Sequence, residues 1–425
     1  MALDLEPILD LPLTARLKGL PAAAEGLALR EVGAQSWNLL DGSIPLPAAV
    51  IRSTVLTKNL TAFQAYIDQA GAKLAPHGKT SMCPQLFDRQ LEAGAWGMTV
   101  ATFSQANTAL DFGVKNLLIA NELVGEAEIR ALAVYQDKAP DTLILSLVDS
   151  LAGVERLEAI LTAAGAVHPF EVLVELGIAG GRTGARTREA ALDIARRVAQ
   201  SPKLSLRGVE GYEGLIVTGD AAADAVRVDA FLDDLLSLFN TCRGEELFTG
   251  EPILSAGGSA YFDLVARGLK TEGVTPLLRS GCYLTHDTGF YNRLLDHVGE
   301  RGVLGPAPAL NPALEVWAQV VSHPEPDLII VNAGRRDLSD DSALPKVEYH
   351  ATPGEGTAPE AVTDWSFFRM NDQHGYIRLP AGASVRIGDY VGLGISHPCT
   401  TFDRWPVLLE VDDAYAVTGA LKTFF

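Results

Sequence analysis

Between about residues 46 and 300 the sequence alternates short apolar runs with longer amphipathic ones, and this alternation constrains the fold more than any other feature. The amphipathic segments have apolar residues at three- and four-residue spacing, which is typical of helices that cover a core. Alternating strands and helices are typical of a parallel sheet. The apolar runs predicted to be strands lie near 72–76, 97–101, 117–120, 142–148, 170–176, 206–211, 252–256 and 276–280.

Eight strand candidates with intervening helices, spread over about 250 residues, agree in number and size with a TIM-type (β/α)8 barrel. We therefore predict an α/β fold with a barrel domain at residues 46–300. The alternative is an open doubly wound sheet, which usually carries a glycine-rich dinucleotide turn after its first strand. This sequence has no such turn, so the barrel is the better prediction.

After residue 300 the pattern changes to that of a β-rich domain. Prolines near 306–312 lead into alternating apolar runs, and the segment 339–366, rich in Asp, Pro, Gly and Thr, is predicted to be a long surface loop. We predict a β-rich C-terminal domain at 301–425, with the N-terminal residues 1–45 packed on it. Its predicted strands lie at 314–321, 327–334, 374–379 and 389–396.

Charge and hydropathy exclude several classes of partner. Lys and Arg number 34 against 53 Asp and Glu, which leaves a formal net charge of −19. Phosphate backbones and anionic lipids attract basic patches, and no run of lysine and arginine is present, so we expect neither nucleic acid nor membrane as a partner. The N-terminus has no signal-peptide pattern and no apolar stretch of about 18 residues follows, so we expect a cytoplasmic protein.

Lys79 stands directly after the first predicted strand, in the segment 75–80. In a barrel the carboxyl ends of the strands carry the active site. A lysine that is partly withdrawn from water there can act as a Schiff-base amine or a proton shuttle, whereas most lysines are solvated surface residues. The triplet Gly78-Lys79-Thr80 is not a phosphate-binding P-loop, because position 73, where that motif requires glycine, is lysine.

Two glycine-containing loops follow the seventh and eighth predicted strands, and the first of them, at 255–259, is predicted to open a helix. Glycine lets the backbone approach a ligand closely, and barrel phosphate sites are commonly built from these two loops. Arg182 and Tyr212, after the fifth and sixth strands, fall on the same rim. There a guanidinium can bind a ring atom or a carboxylate, and an aromatic ring can pack on a flat cofactor. The candidate residues in the two loops are Gly257, Gly258, Ser259, Arg279, Gly281 and Cys282.

His397 and Cys399 end a strand-like run in the C-terminal domain. Residues i and i+2 of an extended chain point to the same side, so an imidazole and a thiolate can share one cation. Sulfur ligation favours zinc over magnesium or calcium. Two ligands are too few for a structural site and leave room for water or substrate. A buried histidine and a buried cysteine that are neighbours by chance would have the same spacing.

With these motifs in place, the chain resembles the fold-type III pyridoxal-phosphate enzymes, in which an alanine-racemase-like barrel precedes a β domain. Within that group it is similar to the D-serine dehydratase and D-threonine aldolase family. The resemblance covers nearly the whole chain, and the order and spacing of its motifs carry it. These motifs are PHGKT around Lys79, SAGGS at 255–259, RSGCY at 279–283 and HPC at 397–399.

The resemblance implies a role for each motif. Lys79 would bind pyridoxal 5′-phosphate covalently, and His397 with Cys399 would hold zinc, or another divalent metal in its place. Dehydratase-like members carry His-x-Cys whereas aldolase-like members tend to carry His-x-Asp, so Cys399 favours elimination. A homodimer is also implied. The further residues implied to bind the cofactor are Gly257, Gly258, Ser259, Gly281 and Cys282 around its phosphate, Arg182, Tyr212 and Arg279 about its ring, and His77.

The predicted activity is therefore dehydration of a D-3-hydroxyamino acid to a 2-oxo acid and ammonia, dependent on pyridoxal phosphate and zinc. The nearest alternative is an aldolase that uses the same cofactor to make glycine and an aldehyde, with His286 or His374 as a nearby base. A racemase is disfavoured because its chemistry requires no metal pair. A non-catalytic pyridoxal-phosphate-binding protein is disfavoured because such carriers tend to be a barrel alone.

Overall fold

The computed structural model describes residues 2–216, 218, 220–354 and 358–425. In this part of the chain, eight parallel strands follow one another, each within two residues of its predicted bounds, and a helix follows each strand. The strands are Lys73–Leu74, Met98–Val100, Asn116–Glu122, Leu143–Val148, Phe170–Leu176, Leu204–Gly211, Ile253–Ala256 and Leu277–Leu278. The helices after them are Pro84–Glu92, Phe103–Asp111, Glu126–Lys138, Leu151–Ala164, Arg188–Ala199, Ala221–Gly244, Phe262–Gly268 and Phe290–Arg301.

Hydrogen bonds close these strands into the predicted barrel. Pairing runs in parallel from the first strand through the eighth, seventh and so on to the second. The first and second strands then meet, because the Trp96 N–H donates to the Leu74 carbonyl at 2.7 Å and the Thr99 N–H donates to the Pro76 carbonyl at 2.9 Å. The α/β barrel prediction is confirmed, and all eight strands end at one rim.

The local sequence explains where the outer helices begin and end. Side-chain oxygens of Thr102, Ser150 and Thr187 each accept a hydrogen bond from the backbone N–H three residues ahead, which satisfies a donor that a helix leaves unpaired. Gly165, with φ 70°, ends the helix Leu151–Ala164 in the left-handed conformation that glycine adopts without strain. The helix Ser53–Ala70 precedes the first barrel strand.

A second sheet contains ten strands within the described ranges, and only one of its pairings is parallel. Ala48–Arg52 lies inside it, antiparallel to Leu314–Glu325 and parallel to Val407–Val411. The domain boundary at residue 46 stays a prediction, but the strand just after it hydrogen-bonds in the second sheet. The other strands of the main path of this sheet are Lys346–Ala351, Glu360–Ala361, Tyr390–Gly394 and Val417–Lys422. Three further strands branch from Leu314–Glu325: Leu328–Val331, Gly375–Arg378 and Ser366–Met370.

The prediction that 339–366 is a single loop is wrong. Lys346–Ala351 pairs antiparallel with Tyr390–Gly394, and Glu360–Ala361 adds to its other edge. Only Val347 and Ala351 of that strand are buried, so the strand has little alternation of apolar and polar residues. The turn-forming residues around it therefore led to the prediction of a loop. Residues 355–357 of the predicted loop lie outside the described residues.

The N-terminal segment contains the helix Glu6–Leu9 and the 3-10 turns Ala22–Ala24 and Leu29–Ala34. Val32 and Leu39 are buried in one apolar cluster with Tyr415, and the Leu39 N–H donates to the Tyr415 carbonyl at 3.0 Å. The assignment of residues 1–45 to the C-terminal domain stays a prediction. No helix in the described ranges has the length and apolar character needed to cross a membrane.

Candidate active site

A cavity of about 420 Å³ opens at the rim where the barrel strands end. It is lined from both parts of the molecule. Residues after the first, fifth, sixth, seventh and eighth barrel strands meet there the segment that follows the strand Tyr390–Gly394 of the second sheet. Gly258 lies beside a lining residue. The other predicted site residues all line the cavity: His77, Lys79, Arg182, Tyr212, Gly257, Ser259, Arg279, Gly281, Cys282, His397 and Cys399.

Lys79 lies on the 3-10 turn Gly78–Thr80 that follows the first barrel strand. The turn fits closely over the barrel, because a Cβ at Gly78 would come within 2.8 Å of the Phe87 ring. Within the described residues the Lys79 amine makes no hydrogen bond or ion pair. A half-buried amine without a partner, facing a cavity, is available for a ligand.

His77 lies beside this amine, and its Nδ1 atom is buried without a hydrogen-bond partner. Burial lowers the pKa of His77 well below its usual value, and the positive charges of Lys79, Arg279 and Arg182 lower it further. The imidazole is therefore neutral at physiological pH. Its unpaired nitrogen is a second polar atom that a ligand in the cavity can satisfy.

The loop after the seventh barrel strand differs from its predicted form. The helix begins only at Phe262, so the prediction that 255–259 opens a helix is wrong. The Gly257 and Gly258 N–H groups donate to the Glu213 carboxylate at 3.0 and 2.6 Å. These two predicted phosphate donors are thus already engaged, and burial raises the pKa of Glu213.

Other backbone donors at this rim remain. The N–H groups of Ser259 and Gly281 have no acceptor among the described residues. A Cβ at Gly281 would lie 2.6 Å from the His77 carbonyl oxygen, so only glycine lets the two loops approach this closely. A compact anionic group fits such exposed amides at the end of a barrel.

The two arginines on the rim are held differently. Arg279 is buried and donates to the Ser255 hydroxyl at 2.6 Å and the Gly211 carbonyl at 3.0 Å, and it lies 2.7 Å from the Glu210 carboxylate. Burial raises the pKa of Glu210 to about 7, although the charge of Arg279 opposes this. Arg182 is exposed, and its guanidinium lies 5.2 Å from the centre of the Tyr212 ring.

His397 and Cys399 lie together, but not for the predicted reason. The segment is not extended there, because Pro398 has helical angles of φ −59° and ψ −47° and the helix Cys399–Phe402 begins next to it. The His397 side chain still hydrogen-bonds with that of Cys399, and its Nδ1 lies 2.7 Å from Asp341 Oδ2. Contact with Cys399, reinforced by Asp341, raises the pKa of His397 to about 9.

Cys399 also contacts the barrel. Its Sγ atom lies 3.3 Å from the Thr80 hydroxyl and 3.7 Å from Cys282 Sγ. Contact between the two sulfurs lowers the pKa of Cys399 and raises that of Cys282, and the Tyr291 hydroxyl hydrogen-bonds to Cys282. A thiolate at Cys399 thus faces the same cavity as the Lys79 amine.

The donor set at this edge suits zinc. Imidazole nitrogen and thiolate sulfur are ligands that zinc prefers, and a carboxylate on the far nitrogen of a metal-binding histidine orients the ring, as Asp341 does for His397. The described residues nevertheless include no ready-made group of three or more His, Cys, Asp or Glu side chains arranged around one ion. The residues present therefore fit an open site with few protein ligands.

Neither histidine expected to act as an aldolase base lines the cavity. His286 is buried behind Cys282 in a separate, much smaller cavity, and burial lowers its pKa to about 4. His374 is exposed in the turn that precedes the strand Gly375–Arg378. Of the residues that do line the cavity, Tyr291 and Thr80 carry hydroxyl groups that the sequence did not indicate.

Sequence reasoning missed four residues that organise the site. Glu210 and Glu213 flank Tyr212, so their positions at the end of a barrel strand were an available signal. Tyr291, at the start of the last barrel helix, and Asp341, in the segment predicted to be a loop, had no local signal. Their roles arise only because distant segments meet at the rim.

Two family models match the chain. The model described as "Alanine racemase, N-terminal domain" matches residues 51–270, and the one described as "Putative serine dehydratase domain" matches residues 313–411. The first covers the barrel through the helix after its seventh strand, and the second covers most of the second sheet.

Among curated proteins, the chain is 28% identical over 379 residues to the D-threonine aldolase of Arthrobacter sp, which covers 87% of this chain and 90% of that protein. It is 25% identical over 401 residues to the D-threo-3-hydroxyaspartate dehydratase of Delftia sp. (strain HT23). That match covers 90% of this chain and 97% of the dehydratase. The crystal structure of D-threonine aldolase from Filomicrobium marinum has a TM-score of 0.73 at 24% identity, covering 97% and 98%, which shows a shared fold.

Proposed function

Because this chain belongs to the family of the alanine racemase N-terminal domain and continues into a serine dehydratase domain, we propose that it is a pyridoxal-phosphate-dependent lyase acting on D-3-hydroxyamino acids. The finer proposal is a zinc-dependent dehydratase that releases water and yields a 2-oxo acid and ammonia. One observation carries it: the unpartnered amine of Lys79 and the His397–Cys399 pair line the same cavity. A cytoplasmic location and a homodimer remain predictions.

The residues around Lys79 fit pyridoxal phosphate. Lys79 would hold the cofactor, the amides of Ser259 and Gly281 would face its phosphate, and Tyr212 with Arg182 would lie about its ring. The bound cofactor supplies an electron-accepting ring that stabilises negative charge at the substrate Cα. The Lys79 amine, released when the substrate amine takes its place, would remove the proton from Cα, since no other lysine lines the cavity among the described residues.

The second part of the proposal is the metal. His397 and Cys399 would hold zinc, whose chemistry there is that of a Lewis acid on the β-hydroxyl. Asp341 keeps the His397 ring turned toward Cys399. A thiolate ligand favours zinc over the harder divalent ions. The resemblance to dehydratase-like members, which carry His-x-Cys, supports elimination as the outcome.

A retro-aldol cleavage to glycine and an aldehyde is the second candidate. Similarity to known aldolases favours it, since the D-threonine aldolase of Arthrobacter sp is a relative at 28% identity. This reaction needs a base for the proton of the β-hydroxyl. Neither of the histidines considered from the sequence lines the cavity, and the neutral imidazole that does line it is His77, whose Nδ1 has no partner.

Product analysis tests the proposal. Cofactor-loaded protein is incubated with D-threonine, and separately with D-3-hydroxyaspartate, with and without a chelator. We expect 2-oxo acid and ammonia in equal amounts, and loss of both when the metal is removed. Glycine with the matching aldehyde would replace the dehydratase by the aldolase. Absence of turnover of either substrate, with the cofactor still bound, would overturn the lyase proposal.

Asp341→Asn is expected to weaken zinc binding by about 10- to 100-fold, because partners of metal-binding histidines typically contribute that much. The amide is neutral and no longer holds the His397 ring by charge. Zinc affinity is measured by competition with a chromophoric chelator. Asp340→Asn is the matched control, since that neighbouring carboxylate pairs with Arg335 at 2.9 Å instead. Equal zinc affinity in the two variants would contradict the role of Asp341.

A further inference from the structure

Cys282 contacts the predicted metal ligand Cys399 although the two residues come from different parts of the fold. Cys282 follows the eighth barrel strand, and Cys399 begins a short helix after a strand of the second sheet. Their Sγ atoms are 3.7 Å apart, both residues line the cavity, and neither is in a disulfide. The family resemblance assigns Cys282 only to the surroundings of the cofactor phosphate.

The spacing of the two sulfurs matches one edge of a tetrahedral zinc site. Two sulfurs bound to one zinc ion, each at about 2.3 Å with a tetrahedral angle between them, lie about 3.8 Å apart. The observed 3.7 Å between Cys282 and Cys399 is within 0.1 Å of that separation. The Thr80 hydroxyl, 4.0 Å from Cys282 Sγ and 3.3 Å from Cys399 Sγ, lies against both sulfurs.

The number of protein ligands that zinc requires also indicates a role for Cys282. His397 and Cys399 alone provide two protein ligands, whereas catalytic zinc sites typically have three and keep a fourth position open. Cys282 raises the set to one nitrogen and two sulfurs, which is an established catalytic combination. We propose that Cys282 is a third protein ligand of the zinc ion, an inference that rests on the proposed function.

The three side chains are linked in the structure but do not yet surround a common point. His397 contacts Cys399, and Cys399 contacts Cys282, while the described residues include no finished three-donor cluster. A zinc ion bound by Cys399 brings Cys282 into the site by rotation about its Cα–Cβ bond. The backbone of the same residue lies next to the Gly281 amide, so Cys282 connects the metal site to the phosphate end of the cavity.

The test counts sulfur ligands directly. X-ray absorption at the zinc edge is recorded on the cofactor-loaded wild-type protein, Cys282→Ser and Cys399→Ser. We expect two sulfurs at about 2.3 Å in the wild type and one in each variant. Zinc affinity of Cys282→Ser, measured by chelator competition, is expected to fall at least about tenfold. Cys242→Ser, in a helix away from the cavity, is the control and keeps two sulfurs.

The outcomes separate this inference from the proposed function. One sulfur in the wild type, unchanged in Cys282→Ser and lost in Cys399→Ser, would overturn the role of Cys282 and leave the proposed metal site intact. No sulfur in the wild type would overturn both. If Cys282→Ser fails to fold, the sulfur count of the wild type still decides between one ligand and two.

Discussion

Lys79→Ala is expected to lower kcat for the reaction of a D-3-hydroxyamino acid by at least about 10³-fold. The variant removes the half-buried amine that faces the cavity without a partner, and no other lysine lines that cavity among the described residues. Both the attachment of the cofactor and the removal of the α-proton are assigned to this one group. Its loss therefore affects two steps at once.

The measurement combines activity with a readout of attachment. Borohydride treatment of the wild type, followed by peptide mapping, is expected to leave the cofactor on the peptide that contains Lys79 and to leave none there in Lys79→Ala. Lys73→Ala is the matched control, because Lys73 begins the same barrel strand at the opposite end and pairs with Glu251 at 3.3 Å. Cofactor found on another lysine, or full activity of Lys79→Ala, would refute the assignment.

Cys399→Ala is expected to bind zinc more weakly and to lower the elimination rate by about 10²- to 10³-fold, while retaining the cofactor. The size of the loss follows because Lewis-acid assistance by a bound metal stabilises a transition state by several kcal/mol. Cofactor binding is expected to survive because Lys79 and the rim loops after the seventh and eighth strands do not depend on the thiol. Zinc content, cofactor absorbance and product formation are measured on the same sample.

A second substitution at this position makes the test more specific. Cys399→Asp replaces the soft sulfur ligand by a hard oxygen ligand, so metal preference is expected to move from zinc toward manganese or magnesium. If the ligand selects the reaction, glycine and aldehyde increase relative to oxo acid. Cys242→Ala is the control for loss of a buried thiol elsewhere. Full elimination by chelator-treated Cys399→Ala would show that zinc has no role.

The barrel could be predicted from the sequence because its information is local. Strands such as Phe170–Leu176 are buried on both faces and read as continuous apolar runs, and the helices between them have a regular apolar spacing. The strand Lys346–Ala351 could not be predicted in the same way. It is short and half-exposed, and its pairing with Tyr390–Gly394 depends on a strand about forty residues away.

The residues of the candidate site also divide into those that the sequence predicted and those that it did not. The sequence was enough to identify Lys79, the glycine loops and the His397–Cys399 pair, because each is a short motif at a strand end or strand-like run. The engagement of Gly257 and Gly258 by Glu213 was not predictable, since it depends on how two loops pack. The helical turn at Pro398 was likewise missed, and the pair meets for a different reason than expected.

Periodicity and motif spacing therefore predicted the barrel, the lysine that faces the cavity and the residue types near it, because these are properties of a few consecutive residues. The contacts of Cys399 with Cys282 and with Thr80 came from the docking of the second sheet on the barrel rim, and that of His397 with Asp341 came from packing within the C-terminal part of the chain. Residues that are 56 to 319 positions apart meet in these contacts. Burial, charge and distance among such residues have no signature in the linear chain, since they depend on tertiary packing.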